Sequence, residues 1–131
     1  MPISEIPIFS MLRTRMQWHQ ERQQVLAENA SNANTPNFRP RDLAPFDATR
    51  LQPASSLAVA RTSPTHLAGS ATGPVKFQLD RGGSFEIRPA GNGVSLEDEM
   101  LKVAANQMEY QAATALYTRG LGLIKTALGK R

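Results

Sequence analysis

Ten positions near the C-terminus, Leu96, Met100, Val103, Gln107, Tyr110, Thr114, Tyr117, Leu121, Ile124 and Leu128, follow one another at alternating steps of four and three residues. Only Gln107 and Thr114 interrupt an otherwise apolar row. That spacing keeps one stripe turned toward a partner helix and predicts a coiled-coil seam. At about 1.5 Å per residue the stretch runs on the order of 48 Å, longer than a chain of this size needs for its own core. Ser95 is placed to N-cap the helix through the Asp98 amide, Glu97, Asp98 and Glu99 put negative charge in its first turn, and Lys125, Lys130 and Arg131 put positive charge near its end. Charge and helix dipole agree.

Ala104, Ala105, Ala112, Ala113 and Ala115 lie beside the seam. They either admit a close helical neighbour or simply favour the helix. Gly120 and Gly122 each cost roughly 1 kcal/mol inside a helix, so they signal a kink, a frayed end or a place where a neighbouring backbone comes near.

A second helix is predicted at the N-terminus, from near Ser10 to a stop before Pro36, since proline disfavours helical conformation in the residue ahead of it. Leu12, Met16, Leu26, Ala30 and Ala33 share a seven-residue frame with His19 and Gln23, and Met11, Trp18 and Val25 widen the stripe along one edge. His19 in that frame reads as a hydrogen-bonded interface histidine in preference to a ligand or pH switch.

Between the helices, Pro36, Pro40, Pro45, Pro53, Pro64, Pro74 and Pro89 punctuate a stretch poor in aromatic mass. Burial there is expected to be thin, with 51–73 flexible. One ordered element is predicted, a β-hairpin over 75–88 with strands Val75–Leu79 and Phe85–Arg88 about the turn at 80–84. The expected organisation is therefore mainly α: an N-terminal helix within 1–35, a Pro/Gly-rich middle over 36–94 holding the small hairpin, and a C-terminal helix within 95–131, the two helices pairing as a coiled-coil hairpin.

Composition removes several classes of function. The chain has no cysteine, which excludes disulfides and thiol-based zinc or redox sites. No basic, apolar leader opens the sequence, and no stretch of about 18 apolar residues is present to span a membrane. The net charge is +4, of which +3 falls in 34–94. The arginines and lysines there are dispersed among acids, without the clustered face and stacking aromatics that nucleic-acid binding uses, so they read as solvated loop charge. No nucleophile–base pair, phosphate loop or metal-ligand spacing occurs; no catalytic residue, metal site or cofactor is predicted, and the chain is not read as an enzyme.

The most specific segment follows the first helix. Asn29, Asn32 and Asn34 crowd the helix exit, where short amides bond nearby backbone groups, and Thr35-Pro36 stops it. This segment resembles the signature of the axial proteins of the bacterial flagellum, the rod and hook family, in which an N-terminal helix runs into an Asn-rich stretch and then Thr-Pro-Gly followed by Tyr or Phe. Asn29, Asn32, Ala33, Asn34, Thr35, Pro36 and Phe38 match it. Asn37 stands where the family usually has Gly, and Asn is the next best residue for a positive φ. Arg41-Asp42-Leu43 through Pro45-Phe46, Arg61-Thr62 with His66-Leu67, and Gly91 to Lys125 are similar to segments of proximal rod subunits.

The resemblance implies a structural subunit at the base of the periplasmic rod. It implies export through the flagellar type III apparatus without a cleaved signal, and packing against other copies, other rod proteins and a FliE-like basal-body adaptor. The expected assembly interface is Leu12, Met16 and Leu26 on the first helix, with Leu96, Met100, Val103, Tyr110, Tyr117, Leu121, Ile124 and Leu128 on the second. The same seams would also serve a free-standing coiled-coil adaptor or chaperone-like binding protein that closes into a small oligomer.

Overall fold

The computed structural model describes residues 6–48, 63, 77–80 and 87–129. The chain divides into two units: one holds 1–46 and 77–131, and the other is 47–76, of which Asp47, Ala48 and Ser63 are described. In the first unit, helix α1 (Pro7–Ser31) packs against helix α2 (Leu96–Ala127), and strand β1 (Asp42–Leu43) pairs antiparallel with strand β2 (Leu79–Asp80). The fold is mainly α with a helical hairpin and a small two-stranded sheet, as the sequence predicts.

Helix α1 begins a turn earlier than Ser10. Pro7 occupies the first turn, where its missing N–H is no loss and its fixed φ suits the helix. The Ser10 hydroxyl donates to Pro7 O at 2.8 Å. The helix ends at Ser31, ahead of Pro36, with the Asn32 amide still bonded to Glu28 O and Asn29 O. Helix α2 starts where predicted: Ser95 is the N-cap and its hydroxyl accepts from Asp98 N at 3.5 Å.

The inward stripe of α1 lies in the expected frame, with Leu12, His19 and Leu26 buried and Met16 and Gln23 half-buried, and Phe9 extends it toward the N-terminus. The seam of α2 needs correction. Val103, Tyr110, Tyr117 and Ile124 are half-buried as expected, but the positions alternating with them are Glu99, Asn106, Ala113 and Gly120. Glu99, Asn106 and Ala113 are buried, whereas Leu96, Met100, Gln107, Thr114 and Leu128 are exposed.

The reason is room. The Phe9 ring lies where a Cβ on Gly120 would stand 3.0 Å from it, and it meets the Tyr117 ring edge-on at 5.4 Å. At Gly120 the close neighbour is a side-chain ring of α1 and not the backbone that was one of the alternatives. A Cβ at Gly122 would meet nothing within 4 Å.

The predicted hairpin strand 75–79 contains part of β2, but β2 pairs with β1, Asp42 opposite Asp80 and Leu43 opposite Leu79. A pairing with 85–88 falls largely outside the described residues, as do Val75, Lys76 and the 81–84 turn, and so does the stretch 51–73 except Ser63. Asn37 has φ +58, the left-handed conformation expected at the family's glycine position. Its side chain lies against Gly91, which has φ +76, so that any Cβ on Gly91 would run into the Asn37 amide oxygen. Gly91→Ala is therefore expected to lower unfolding free energy by more than about 1 kcal/mol, through both backbone strain and collision, read as a reduced midpoint in urea.

Candidate functional site

Three asparagines, one in each helix and one in the loop before α2, spend their side-chain amides on tertiary contacts. All are buried. An asparagine amide carries a donor and an acceptor and so can stand in for a peptide group.

Asn29, on the last turn of α1, brackets Arg41 as a neighbouring strand would: its Oδ1 accepts from Arg41 N at 3.0 Å and its Nδ2 donates to Arg41 O at 2.6 Å. The same Nδ2 donates to Glu99 Oε2 at 2.9 Å, which joins α1, the segment leading into β1 and the first turn of α2. Glu99 is itself buried, and its other oxygen accepts from Lys102 Nζ at 2.7 Å.

Asn92 closes the exit of α1. Its Nδ2 donates to Asn32 O at 2.9 Å and Thr35 O at 2.6 Å, while its Oδ1 accepts from Val94 N at 2.7 Å. Asn37 N donates to Ala90 O, and Gly93 N donates to Phe38 O, both at 3.1 Å, so the signature segment is laid along 88–94. Within the signature, Asn32 also receives the Thr35 hydroxyl on its Oδ1 at 3.0 Å, whereas Asn34 and Pro36 are exposed.

Asn106 holds the middle of the hairpin. Its Nδ2 donates to His19 O at 2.9 Å and to Gln23 Oε1 at 3.0 Å. Its Oδ1 is therefore the group facing His19 Nδ1 at 2.8 Å, and Nδ1 must carry the proton. His19 is the interface histidine that its place in the frame suggests. Its Nε2 is buried without a hydrogen-bond partner among the described residues, 3.6 Å from Glu109 Oε2.

A further edge of α1 carries the loop that follows the signature. Trp18 Nε1 donates to Ala44 O at 3.0 Å, its ring meets Phe46 at 6.3 Å, and the Arg22 guanidinium lies 5.3 Å from the Trp18 centroid. Arg22 makes a two-pronged contact with Asp42, at 2.9 and 2.8 Å. Burial works against the Asp42 charge, but the Arg22 hydrogen bond and charge, with the Leu43 N–H, hold its carboxyl below the usual carboxylate range. The same bond raises Arg22 against the opposing cost of its own burial.

These side chains border an open recess of about 480 Å³ whose charged walls already face one another. Among the described residues no three His, Cys, Asp or Glu are grouped as metal ligands, and no helix is long and apolar enough to cross a membrane.

The arrangement is architectural, and its unspent surface is elsewhere. Leu101, Ala105, Met108, Ala112, Leu116 and Leu123 recur at helical spacing on the side of α2 turned away from α1, and the four large ones are 70, 67, 60 and 66 % exposed. Of the eleven residues expected at the assembly interface, Leu12 and Leu26 are buried inside the hairpin. Met16, Val103, Tyr110, Tyr117, Leu121 and Ile124 are half-buried, and Leu96, Met100 and Leu128 are exposed. Sequence reasoning gave Glu99 only a first-turn charge role and gave Asn92 and Asn106 no tertiary role. Their one sequence signal is polarity beside the apolar frame, which a solvated position shares.

Asn29→Ala is expected to cost more than about 2 kcal/mol in a urea melt, because Arg41 and Glu99 lose partners where water cannot replace them. Asp42→Asn should cost about 1 to 2 kcal/mol at neutral pH. The folded Asp42 carboxyl lies below its unfolded value of about 3.9, so its contribution is full above that pH and is lost as pH falls through the folded value. Melts of the parent should therefore weaken below about pH 4, and Asp42→Asn should flatten that part of the curve.

No family model matches the chain. It is 33 % identical over 113 residues to the flagellar basal body rod protein FlgB of Agrobacterium fabrum, covering 85 % of this chain and 84 % of that protein. It is 28 % identical over 107 residues to the protein of the same name from Bacillus subtilis, covering 82 % and 81 %. At 33 % identity over more than four fifths of both lengths, the chain belongs to the FlgB family of flagellar basal body rod proteins.

Proposed function

We propose that this protein is a structural subunit of the proximal rod that becomes part of the periplasm-spanning drive shaft by packing the outer face of α2 on neighbouring subunits. The observation that carries this reading is the outward row from Leu101 to Leu123, which a hairpin alone leaves in water. Each such side chain contributes roughly 1.5 to 3 kcal/mol when fully buried, so a few of them offset the cost of fixing a subunit in an assembly. Leu96, Met100 and Leu128 extend the contact surface, and the alanines between the large residues let a neighbouring helix come close. Leu12 and Leu26 act inside the subunit, supporting the hairpin that presents this face.

The neighbours are other copies, sister rod proteins and a FliE-like adaptor, and the chain reaches them through the flagellar type III apparatus without a cleaved signal. Torque passes through close packing and requires no catalytic group. The modest internal core suits a chain that travels unfolded and gains its stability on joining the rod.

Met108→Asp and Leu116→Asp test the reading. Both positions are exposed, so each variant should keep the unfolding free energy of the isolated chain within about 0.5 kcal/mol while abolishing swimming in soft agar. Normal motility, with the variant recovered in purified basal bodies, would refute the assignment. A discrete soluble dimer or tetramer by mass measurement would favour the free-standing adaptor.

A further inference from the structure

Asn92 is the one asparagine in the chain that is followed by glycine. In an open chain that dipeptide is chemically unstable. The Gly93 nitrogen, once deprotonated, attacks Cγ of Asn92; the bond from Cγ to Nδ2 breaks and ammonia leaves. A five-membered succinimide results. Water then adds across one of its two imide bonds, leaving aspartate or isoaspartate. The glycine, having no side chain, does nothing to hinder the attack.

In the fold every participant is tied down. The leaving nitrogen Nδ2 is held by Asn32 O and Thr35 O, Oδ1 by Val94 N, and the nucleophile Gly93 N by Phe38 O. The residue is 3 % exposed, which keeps water and base away. Reaction requires the 88–94 segment to leave the signature loop, so the rate is governed by the open fraction.

The product cannot return to the same place. A carboxylate at position 92 keeps Val94 N on one oxygen but turns the other toward two carbonyl oxygens where the amide had donated to both, and a buried charge so placed is strongly disfavoured. Isoaspartate also lengthens the backbone between Gly91 and Gly93, both of whose N–H groups are bonded in the fold.

We propose that Asn92-Gly93 is a folding-gated deamidation site: the closed signature loop preserves the amide, and a chain that waits open loses the group that closes it. This stands on the loop geometry and is independent of the rod assignment.

The full-length chain is incubated at mildly alkaline pH across a series from trimethylamine oxide, which favours compact states, to concentrated urea. Helix content is followed by circular dichroism, and conversion at position 92 by peptide mass spectrometry with isoaspartyl methyltransferase labelling. Conversion should fall as helix content rises, and be at least about tenfold slower at the folded end, equivalent to an opening free energy of about 1.4 kcal/mol or more. In urea, Gly93→Ala should slow it severalfold, because the added methyl crowds the attacking nitrogen whatever the fold. Asn92→Asp should melt well below the parent. A rate that does not follow helix content, including helix content that never changes, overturns the proposal. So does an Asn92→Asp chain that melts with the parent, or an earlier conversion at another asparagine.

Discussion

A buried amide must find both a donor and an acceptor, and that requirement organises this hairpin. Asn29 and Asn106 satisfy it with groups from another part of the chain, and Asn92 takes the nearby Val94 N–H but sends its Nδ2 to the exit of α1, so these partners hold only when α1, the signature loop and α2 stand in one register. A slip of one residue along either helix would strand several polar groups away from water, each at about 1 to 3 kcal/mol. The described apolar core is small: Phe9, Leu12, Trp18, Leu26, Leu43, Val94 and Ala113. It favours collapse without distinguishing strongly between registers, and the amides supply the distinction.

The family signature takes on physical meaning in this light. Asn29 acts as a side-chain strand edge for Arg41, Asn32 and Thr35 offer carbonyls to Asn92, and Asn37 supplies the left-handed residue that seats against Gly91. A segment that reads locally as a helix stop is the place where three distant stretches of the chain are joined. Trp18 and Arg22 do similar work on another edge of α1, holding Ala44 and Asp42.

Helix α2 has apolar residues around much of its circumference, and the fold sorts them. Phe9 needs Gly120, and His19 needs Asn106, so the inward positions alternating with Val103, Tyr110, Tyr117 and Ile124 go to small or polar residues and the bulk of Leu101, Met108, Leu116 and Leu123 is turned outward. A chain built this way is specific inside and leaves large apolar side chains exposed outside.

The two helices, the Ser95 cap, the frame of α1, the positive φ at Asn37 and the likeness to flagellar axial proteins were all legible in the residues. The helices, the cap and the frame rest on local rules, since periodicity and capping act over a few neighbouring positions, whereas the family likeness and the expectation at Asn37 rest on the resemblance of the helix-exit segment. The register of α2 and the partner of Leu79–Asp80 were not. Val103, Tyr110, Tyr117 and Ile124 belong equally to a row through Met100 and Leu121 and to one through Glu99 and Gly120. Hydrophobicity prefers the first row, while only the shape and polarity of α1 select the second. Linear sequence thus determined which segments are helical and where they end. Tertiary structure decided which side of each helix is inside, because that depends on the side chains it must meet from residues far away in the chain.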